Sequence, residues 1–183
     1  MENGKIVAGK HLVLATGYVM PDFVPSDLHE VASTWAIATG PQPDRLWRDG
    51  VLIWEASEQY SYLRTTWDGR IIIGGEDDTT NTAPEKRDGL IPEKAAHLLA
   101  KLNALWPRTN PSAHYAWAGA FGRSVDGLPL IGTVPGRRRT HAAYGYGGNG
   151  ITFSYMASHI LADITNGRRR EWFDDVALDR SGL

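Results

Sequence analysis

Residues 145–154, GYGGNGITFS, place a cluster of glycines directly before a predicted helix. The first four N–H groups of a helix have no partner inside the helix, and they carry the positive end of its dipole. Glycines before the helix let a ligand approach the backbone, because no Cβ atom stands in the way. The run therefore predicts a site for a negative or electron-rich group. The alternative is a tight strand-to-helix turn whose glycines serve packing alone.

Two polar residues in this run could assist binding. Asn149 can cap the helix or adopt unusual backbone angles, and Thr152 places a hydroxyl in the first turn. No Lys-Ser or Lys-Thr follows the glycines, so the run is not a phosphate-binding loop of the G-x-x-x-x-G-K-[ST] type. We also do not interpret it as the dinucleotide fingerprint of a βαβ unit.

Tyr60, Tyr62 and Arg64 alternate along a predicted strand and therefore share one face of it. A guanidinium beside phenol hydroxyls suits a carboxylate ligand. The alternative is an exposed sheet face with ordinary polar residues.

The other charged clusters are interpreted as solvated loops or turns. The acidic triplet 76–78 has no nearby histidine, and the six histidines show no paired metal-ligand spacing, so no metal site is predicted. The basic triplets 137–139 and 168–170 lie in a chain of net charge −2, which argues against a nucleic-acid partner.

The hydrophobic pattern predicts mostly strands, with one helix near the middle of the chain and one near its end. Asp68-Gly69 predicts a two-residue turn between strands 60–67 and 70–74. Residues 76–89 are expected to form a polar loop and residues 168–183 an irregular tail. Gly167 is the expected C-cap of the last helix. The other predicted strands are 12–15 (buried), 33–40, 51–56, 114–121, 128–133 and 140–146, and the predicted helices are 91–106 and 151–167.

This order is not the regular alternation of a complete doubly wound domain. We expect an α+β fold, in which an antiparallel β substrate-binding region with one helix (41–120) interrupts part of an α/β, Rossmann-like domain (1–40 and 121–167).

Composition limits the class of protein. The chain has 183 residues, of which 42% are hydrophobic and 22% charged, as in a globular protein. It has no cysteine, which excludes disulfides and thiolate chemistry. No secretory signal pattern and no long apolar run is present, so we expect a cytoplasmic protein without a membrane span.

Three segments in a fixed order carry a resemblance to a known family. HLVLATGY, WAGAFGRSVDGLPLIG and AAYGYGGNGITFSYMASHILADITNG flank and follow the β-rich region. Together they resemble the C-terminal half of FAD-dependent amine and amino-acid oxidoreductases, the superfamily of D-amino-acid oxidase, glycine oxidase and sarcosine oxidase.

The resemblance implies FAD as cofactor and an amine or amino acid as substrate, whose C–N bond is oxidised by hydride transfer to the flavin. No catalytic base is assigned, since the flavin carries the chemistry. Thr16 and Gly17 would lie near the dinucleotide part of FAD, and the flavin-contacting run would be Gly147, Gly148, Asn149, Gly150, Ile151 and Thr152.

The chain departs from the family pattern in two places. The family's N-terminal βαβ unit with its dinucleotide fingerprint is missing, which predicts a truncated chain, a homo-oligomer or a partner chain that supplies this unit. The alternative function is a non-catalytic remnant that does not bind FAD. The family's substrate-binding arginine position holds Phe121, so Arg123 could replace it or only pair with Asp126. With Tyr62 and Arg64, Arg123 completes the expected substrate-binding set.

Overall fold

The computed structural model describes residues 4, 6–25, 27–57 and 59–180. The chain forms two compact units. Unit 1 comprises residues 1–31 and 121–183, and unit 2 comprises residues 32–120. The first boundary thus lies before the expected one at residue 40, and the tail belongs to unit 1. The expected α+β fold class is confirmed.

The strands and helices are as follows. The strands are β1 (Leu12–Leu14), β2 (His29–Thr39), β3 (Ile53–Trp54), β4 (Ser61–Thr65), β5 (Ile71–Asp78), β6 (Ala113–Ser124), β7 (Leu130–Thr133) and β8 (Thr140–Tyr144). The α-helices are α1 (Pro84–Gly89), α2 (Ile91–Leu105) and α3 (Gly150–Thr165), and 3₁₀ helices lie at Pro43–Arg45, Arg48–Gly50 and Glu171–Val176.

Unit 1 is built on a three-stranded sheet in the order β1-β8-β7. β1 is parallel to β8, with Leu14 opposite Ala142, and β8 is antiparallel to β7. One face of the sheet packs on α3 and the last 3₁₀ helix. The expectation that β1 is buried is wrong for Leu12 and Val13, which are exposed because the hydrophobic core of unit 1 covers Leu14 of this strand but not these two residues.

The helix α3 ends as the sequence predicts. Gly167 adopts φ +73°, and its N–H donates to Ile164 O, while Arg168 N–H donates to Asp163 O. This pair of bonds is the Schellman motif, which needs a residue with positive φ after the last helical turn.

Unit 2 contains the five-stranded sheet, in the order β3-β4-β5-β2-β6. The predicted hairpin of β4 and β5 is confirmed, with Leu63 opposite Ile73. The two-residue turn is wrong: Thr66 N–H donates to Arg70 O, and Gly69, at φ +82°, closes a three-residue loop. The third loop position needs the left-handed conformation, which glycine adopts without strain.

Two helices precede β6, where one was predicted. The predicted helix α2 is confirmed and buries Leu98 and Leu102 against the sheet. The polar loop expected at 76–89 instead contains the end of β5 and the short helix α1. The Arg87 carbonyl of α1 accepts a hydrogen bond from the Trp35 indole, so contact with the sheet holds a segment whose sequence is polar throughout.

The C-terminal segment is not the irregular tail that the sequence predicts. Phe173, Val176 and Leu178 are buried in the core of unit 1. The Arg180 guanidinium forms two hydrogen bonds to the Asp126 carboxylate, of 2.8 and 2.9 Å, and both side chains are at most 7% exposed. Hydrogen bonds from Arg180 lower the pKa of Asp126 to about 2, although burial opposes this shift.

Removing one member of this buried pair is expected to destabilise unit 1. Arg180→Ala should lower the free energy of unfolding by about 3 kcal/mol, because it leaves a buried carboxylate without its partner. Urea titration measures this. Arg169→Ala is the matched control, since it breaks an exposed pair with Asp174 and should cost less than about 1 kcal/mol. Equal losses in the two variants would contradict the argument.

A histidine pair ties β1 to its neighbour. His11 Nδ1 lies 3.0 Å from His141 Nε2, and His141 Nδ1 lies 3.1 Å from Thr133 Oγ1. Burial and the neighbouring His11 lower the pKa of His141 from its ordinary value of 6.5. The neutral ring is therefore the form that the fold favours.

The sign of the resulting pH dependence follows from linkage. Because the unfolded chain binds the proton more readily than folded His141, stability should fall as pH drops below about 6.5. Urea titrations at about pH 8 and about pH 5.5 measure the loss, and His141→Asn should reduce it. The control His159→Asn, at an exposed position on α3, should leave the loss unchanged. A loss that persists in full in His141→Asn would refute this role.

Candidate functional site

The glycine run connects β8 to α3 through a compact turn. Gly145 and Gly147 have φ values of +72° and +53°, which residues other than glycine rarely adopt. Gly147 N–H donates to Gly122 O at 2.9 Å, and Asn149 N–H donates to Tyr146 O at 3.1 Å. These bonds hold the turn, so its glycines have a structural role, and their expected binding role stays a prediction.

The N-terminus of α3 is open. Asn149 is the N-cap residue, but its side chain makes no capping hydrogen bond, and the first turn contains no acidic residue. A Cβ atom on Gly150 would meet no atom within 4 Å, and Ile151 is 91% exposed. Thr152 and Gly148 are also exposed. The positive end of the helix is therefore accessible to a ligand.

The spacing of Gly145, Gly147 and Gly150 is G-x-G-x-x-G, which the sequence interpretation set aside. In a dinucleotide-binding unit this spacing opens a helix that leads to another parallel strand. Here α3 leads instead to the 3₁₀ helix Glu171–Val176. In this part of the chain the glycine run therefore does not open a βαβ unit.

Thr16 and Gly17 lie beyond the carboxyl-terminal ends of the sheet strands, at the same end of the sheet as the glycine run. β1 and β8 are parallel neighbours, so the segments that follow them leave the sheet at a shared carboxyl-terminal edge. Ligands of open α/β sheets bind at this edge. Thr16 Oγ1 donates to Val19 O at 2.6 Å, Gly17 has φ +77°, and both residues are exposed.

Arg123 lies beside the glycine run and has an unforeseen partner. Its position pairs with Tyr146 in a β-bridge, and a Cβ atom on Gly147 would stand 3.7 Å from the Arg123 Cβ. The expected pairing with Asp126 is wrong, because Arg180 holds that carboxylate. Arg123 instead contacts Glu30 Oε1 through Nε and Nη2, both at 2.6 Å.

Tyr62 and Arg64 lie in unit 2, on the sheet face opposite α2. The Tyr62 ring covers Gly74: a Cβ atom there would stand 2.2 Å from the phenol oxygen. Burial, with a smaller effect of the Asp77 charge, raises the pKa of Tyr62, and Arg64 opposes the shift. Arg64 is exposed. Tyr60 and Tyr62 have ring centroids 6.5 Å apart.

Sequence reasoning missed Glu30 and the role of Gly74. Nothing in the sequence marks Glu30 as the partner of Arg123, since the two lie 93 positions apart. Gly74 left a signal, however. Two consecutive glycines within a predicted strand often mark a place where another group approaches the backbone closely.

The acidic triplet is divided among separate roles. Burial raises the pKa of Glu76, but the Lys101, Lys94 and His97 side chains outweigh this effect and lower it. Asp78 accepts hydrogen bonds from Thr80 and Asn81.

Among the described residues, no group of His, Cys, Asp or Glu is placed to hold a metal ion. In the same part of the chain, no helix is both long and apolar enough to cross a bilayer.

Comparison with known proteins identifies the family. Residues 2–164 match the family model described as "DAO: FAD dependent oxidoreductase". The chain belongs to this family of FAD-dependent oxidoreductases. Over 104 residues it is 32% identical to glycine oxidase of Pseudomonas aeruginosa, which covers 55% of the chain and 27% of that protein. Over 173 residues it is 22% identical to a probable oxidoreductase of Haemophilus influenzae, covering 88% of the chain and 37% of that protein.

Solved structures of several oxidases share the fold. The structure superimposes on iminodiacetate oxidase of Chelativorans sp. BNC1 with a TM-score of 0.75 at 14% identity, covering 92% of the chain and 46% of that structure. Fructosamine oxidase of Aspergillus fumigatus gives 0.75 at 14% identity, with 98% and 45% covered. Glycine oxidase of Geobacillus kaustophilus gives 0.66 at 19%, with 95% and 46% covered. The chain therefore spans about half the length of these solved oxidase structures.

The residues at the start of α3 fit the flavin that the family implies. A flavin ring accumulates negative charge on reduction, and an uncapped helix N-terminus without acidic neighbours stabilises such charge. The open space at Gly150 allows close approach to the backbone.

A cap introduced at Asn149 is expected to stabilise the helix. Asn149→Asp should raise the free energy of unfolding by about 0.5–1 kcal/mol, because a carboxylate there meets unpaired N–H groups and the helix dipole. Asn149→Ala should change it by less than about 0.5 kcal/mol, because the present side chain makes no capping bond. Urea titration of both variants distinguishes this from a capped N-terminus, in which Asn149→Ala would cost about 1 kcal/mol.

Proposed function

We propose that this chain forms the flavin-facing part of an FAD-dependent oxidoreductase that oxidises a C–N bond of an amine or amino acid. The observation that carries the proposal is the open N-terminus of α3, at the same sheet edge as Thr16 and Gly17, in a member of this family. The relatives named above include oxidases of glycine, iminodiacetate and fructosamines, all compounds with a C–N bond.

Two groups of residues would hold the cofactor. Residues 147–152 would contact the flavin ring through backbone N–H groups, with the ring's electron-rich edge at the start of α3. Thr16 and Gly17 would lie along the dinucleotide part. When bound, FAD supplies the acceptor for the hydride that leaves the carbon beside the substrate nitrogen, and water then hydrolyses the resulting imine.

Arg123, Tyr62 and Arg64 are the proposed substrate-binding residues. Arg123 adjoins Gly147 through its backbone and Cβ, so the side chain begins beside the glycine run. Glu30 fixes the Arg123 side chain through two contacts and leaves further guanidinium N–H groups for a ligand. In unit 2, Tyr62 would donate its phenol hydrogen, and Arg64 would supply positive charge.

The exposed edge of β1 favours a second candidate function. Leu12 and Val13 are exposed on an edge strand, and such strands readily pair with further strands. A partner chain, or a second copy of this chain, could supply that strand. In this alternative the chain is a non-catalytic fold that associates through β1 without binding FAD.

Titration with FAD separates the two functions. We expect the purified chain to change the fluorescence and absorption of added FAD, and glycine or N-methylglycine to bleach the bound flavin without oxygen. Asn149→Asp should weaken FAD binding about two- to fivefold, because its charge opposes the electron-rich ligand by about 0.3–1 kcal/mol. Asn149→Ala is the matched control.

A folded chain that leaves FAD unchanged at every concentration would contradict the proposal and favour the non-catalytic function. Sedimentation would then show whether the chain associates through β1. Leu12→Lys, which places a charge on the exposed strand, should disperse such an assembly.

A further inference from the structure

The end of β5 contains a β-bulge at Glu76. Trp35 of β2 lies opposite Gly75, but Ser33 lies opposite Asp78, so β5 has one more residue than β2 in this interval. Glu76 has φ +62°, a conformation that side-chain-bearing residues seldom adopt. An extra residue in a strand resets the alternation of side chains between the two sheet faces.

Side chains of α2 hold the bulge residue on the helix-covered face. Glu76 Oε1 lies 2.7 Å from Lys101 Nζ, and Glu76 Oε2 lies 3.4 Å from Lys94 Nζ and 3.5 Å from His97 Nδ1. The Glu76 side chain is 13% exposed. These contacts compensate the left-handed backbone and leave the next residue, Asp77, to the other face.

Asp77 consequently belongs to the face that carries Tyr62. Gly74 pairs with Tyr62 and lies under its ring. With Glu76 directed to α2, the reset alternation returns Asp77 to the side of Gly74. The electrostatic effect of Asp77 on Tyr62 agrees with this placement. Asp77 Oδ1 is buried and has no hydrogen-bond partner among the described residues.

Opposite charges therefore act on Tyr62 from two directions. Arg64 follows Tyr62 by two residues on the same face of β4, and its charge opposes that of Asp77. Asp77 lies beyond Gly75, towards the other end of β4, because Gly75 pairs with Ser61. Tyr62 thus lies between Arg64 and Asp77 along the strand direction, and the buried Oδ1 of Asp77 accepts no hydrogen bond from the residues that the structure describes.

We propose that Asp77 is a specificity-determining residue that binds a positively charged nitrogen of the substrate, while Arg64 and Tyr62 bind its carboxylate. This inference rests on the proposed oxidation of an amine or amino acid. In this inference the bulge at Glu76 places Asp77 on the sheet face that carries Tyr62 and Arg64. The favoured ligand carries both charges, and a ligand without the positive nitrogen loses the contact with Asp77.

The test uses NMR titration of the folded chain with three small ligands: glycine, with both charges; N-acetylglycine, with the carboxylate alone; and glycinamide, with the ammonium alone. We expect all three to shift the Tyr62 signals, with glycine binding most tightly. Asp77→Asn should weaken glycine and glycinamide about tenfold, as loss of a charge-assisted hydrogen bond does, and leave N-acetylglycine within about twofold.

Two further measurements guard against a folding artefact. Glu93→Gln removes the same charge at an exposed position of α2 and should leave all three affinities unchanged. The pKa of Tyr62, followed through ring-labelled tyrosine, should fall in Asp77→Asn, because the Asp77 charge raises it in the wild-type chain.

The outcomes separate this inference from the proposed function. Equal weakening of all three ligands in Asp77→Asn, no glycine binding at Tyr62, or an unchanged Tyr62 pKa would each overturn the role of Asp77. The selective loss, in a chain that never reduces FAD, would support the role of Asp77 and refute only the oxidation. If the chain oxidises an amine but Asp77→Asn leaves the charge selectivity of ligand binding unaltered, the oxidation is supported and the role of Asp77 is refuted.

Discussion

Parallel pairing between β1 and β8 is the constraint on which the candidate cofactor site depends. These strands lie more than 120 positions apart in the sequence, and all of unit 2 is inserted between them. Backbone hydrogen bonds, the His11–His141 contact and the burial of Leu14 hold the pair together. Because the strands are parallel, both following loops emerge at one edge. A single ligand at that end could therefore contact exposed backbone of both loops.

The elements that the sequence predicts are those determined by local pattern. The β4–β5 hairpin follows from alternation around Asp68-Gly69, and α2 follows from leucines at helical spacing. Gly167 ends α3 because the Schellman motif needs its positive φ. The glycine run was recognised from composition, and it does precede an open helix N-terminus. For these residues, chemistry within a few positions decides the structure.

Contacts between distant residues account for what the sequence did not predict. The alternative in which Arg123 pairs with nearby Asp126 fails because two remote residues intervene: Arg180 binds Asp126, and Glu30 binds Arg123. The C-terminal segment is polar enough to predict an irregular tail, yet Phe173 and Val176 pack against the sheet. The bulge at Glu76 needs the cations of α2, which no pattern within β5 indicates.

The division of the chain also sets the order in which its parts can fold during synthesis. Unit 2 is continuous in sequence, so its sheet and helix core can form as soon as residue 120 has left the ribosome. Unit 1 must wait, because β1 pairs with β8 and Asp126 forms its ion pair with Arg180, and both of these partners are made later. Arg180, which is made after β8, thus supplies a late contact in a unit whose strand β1 is made before all of unit 2.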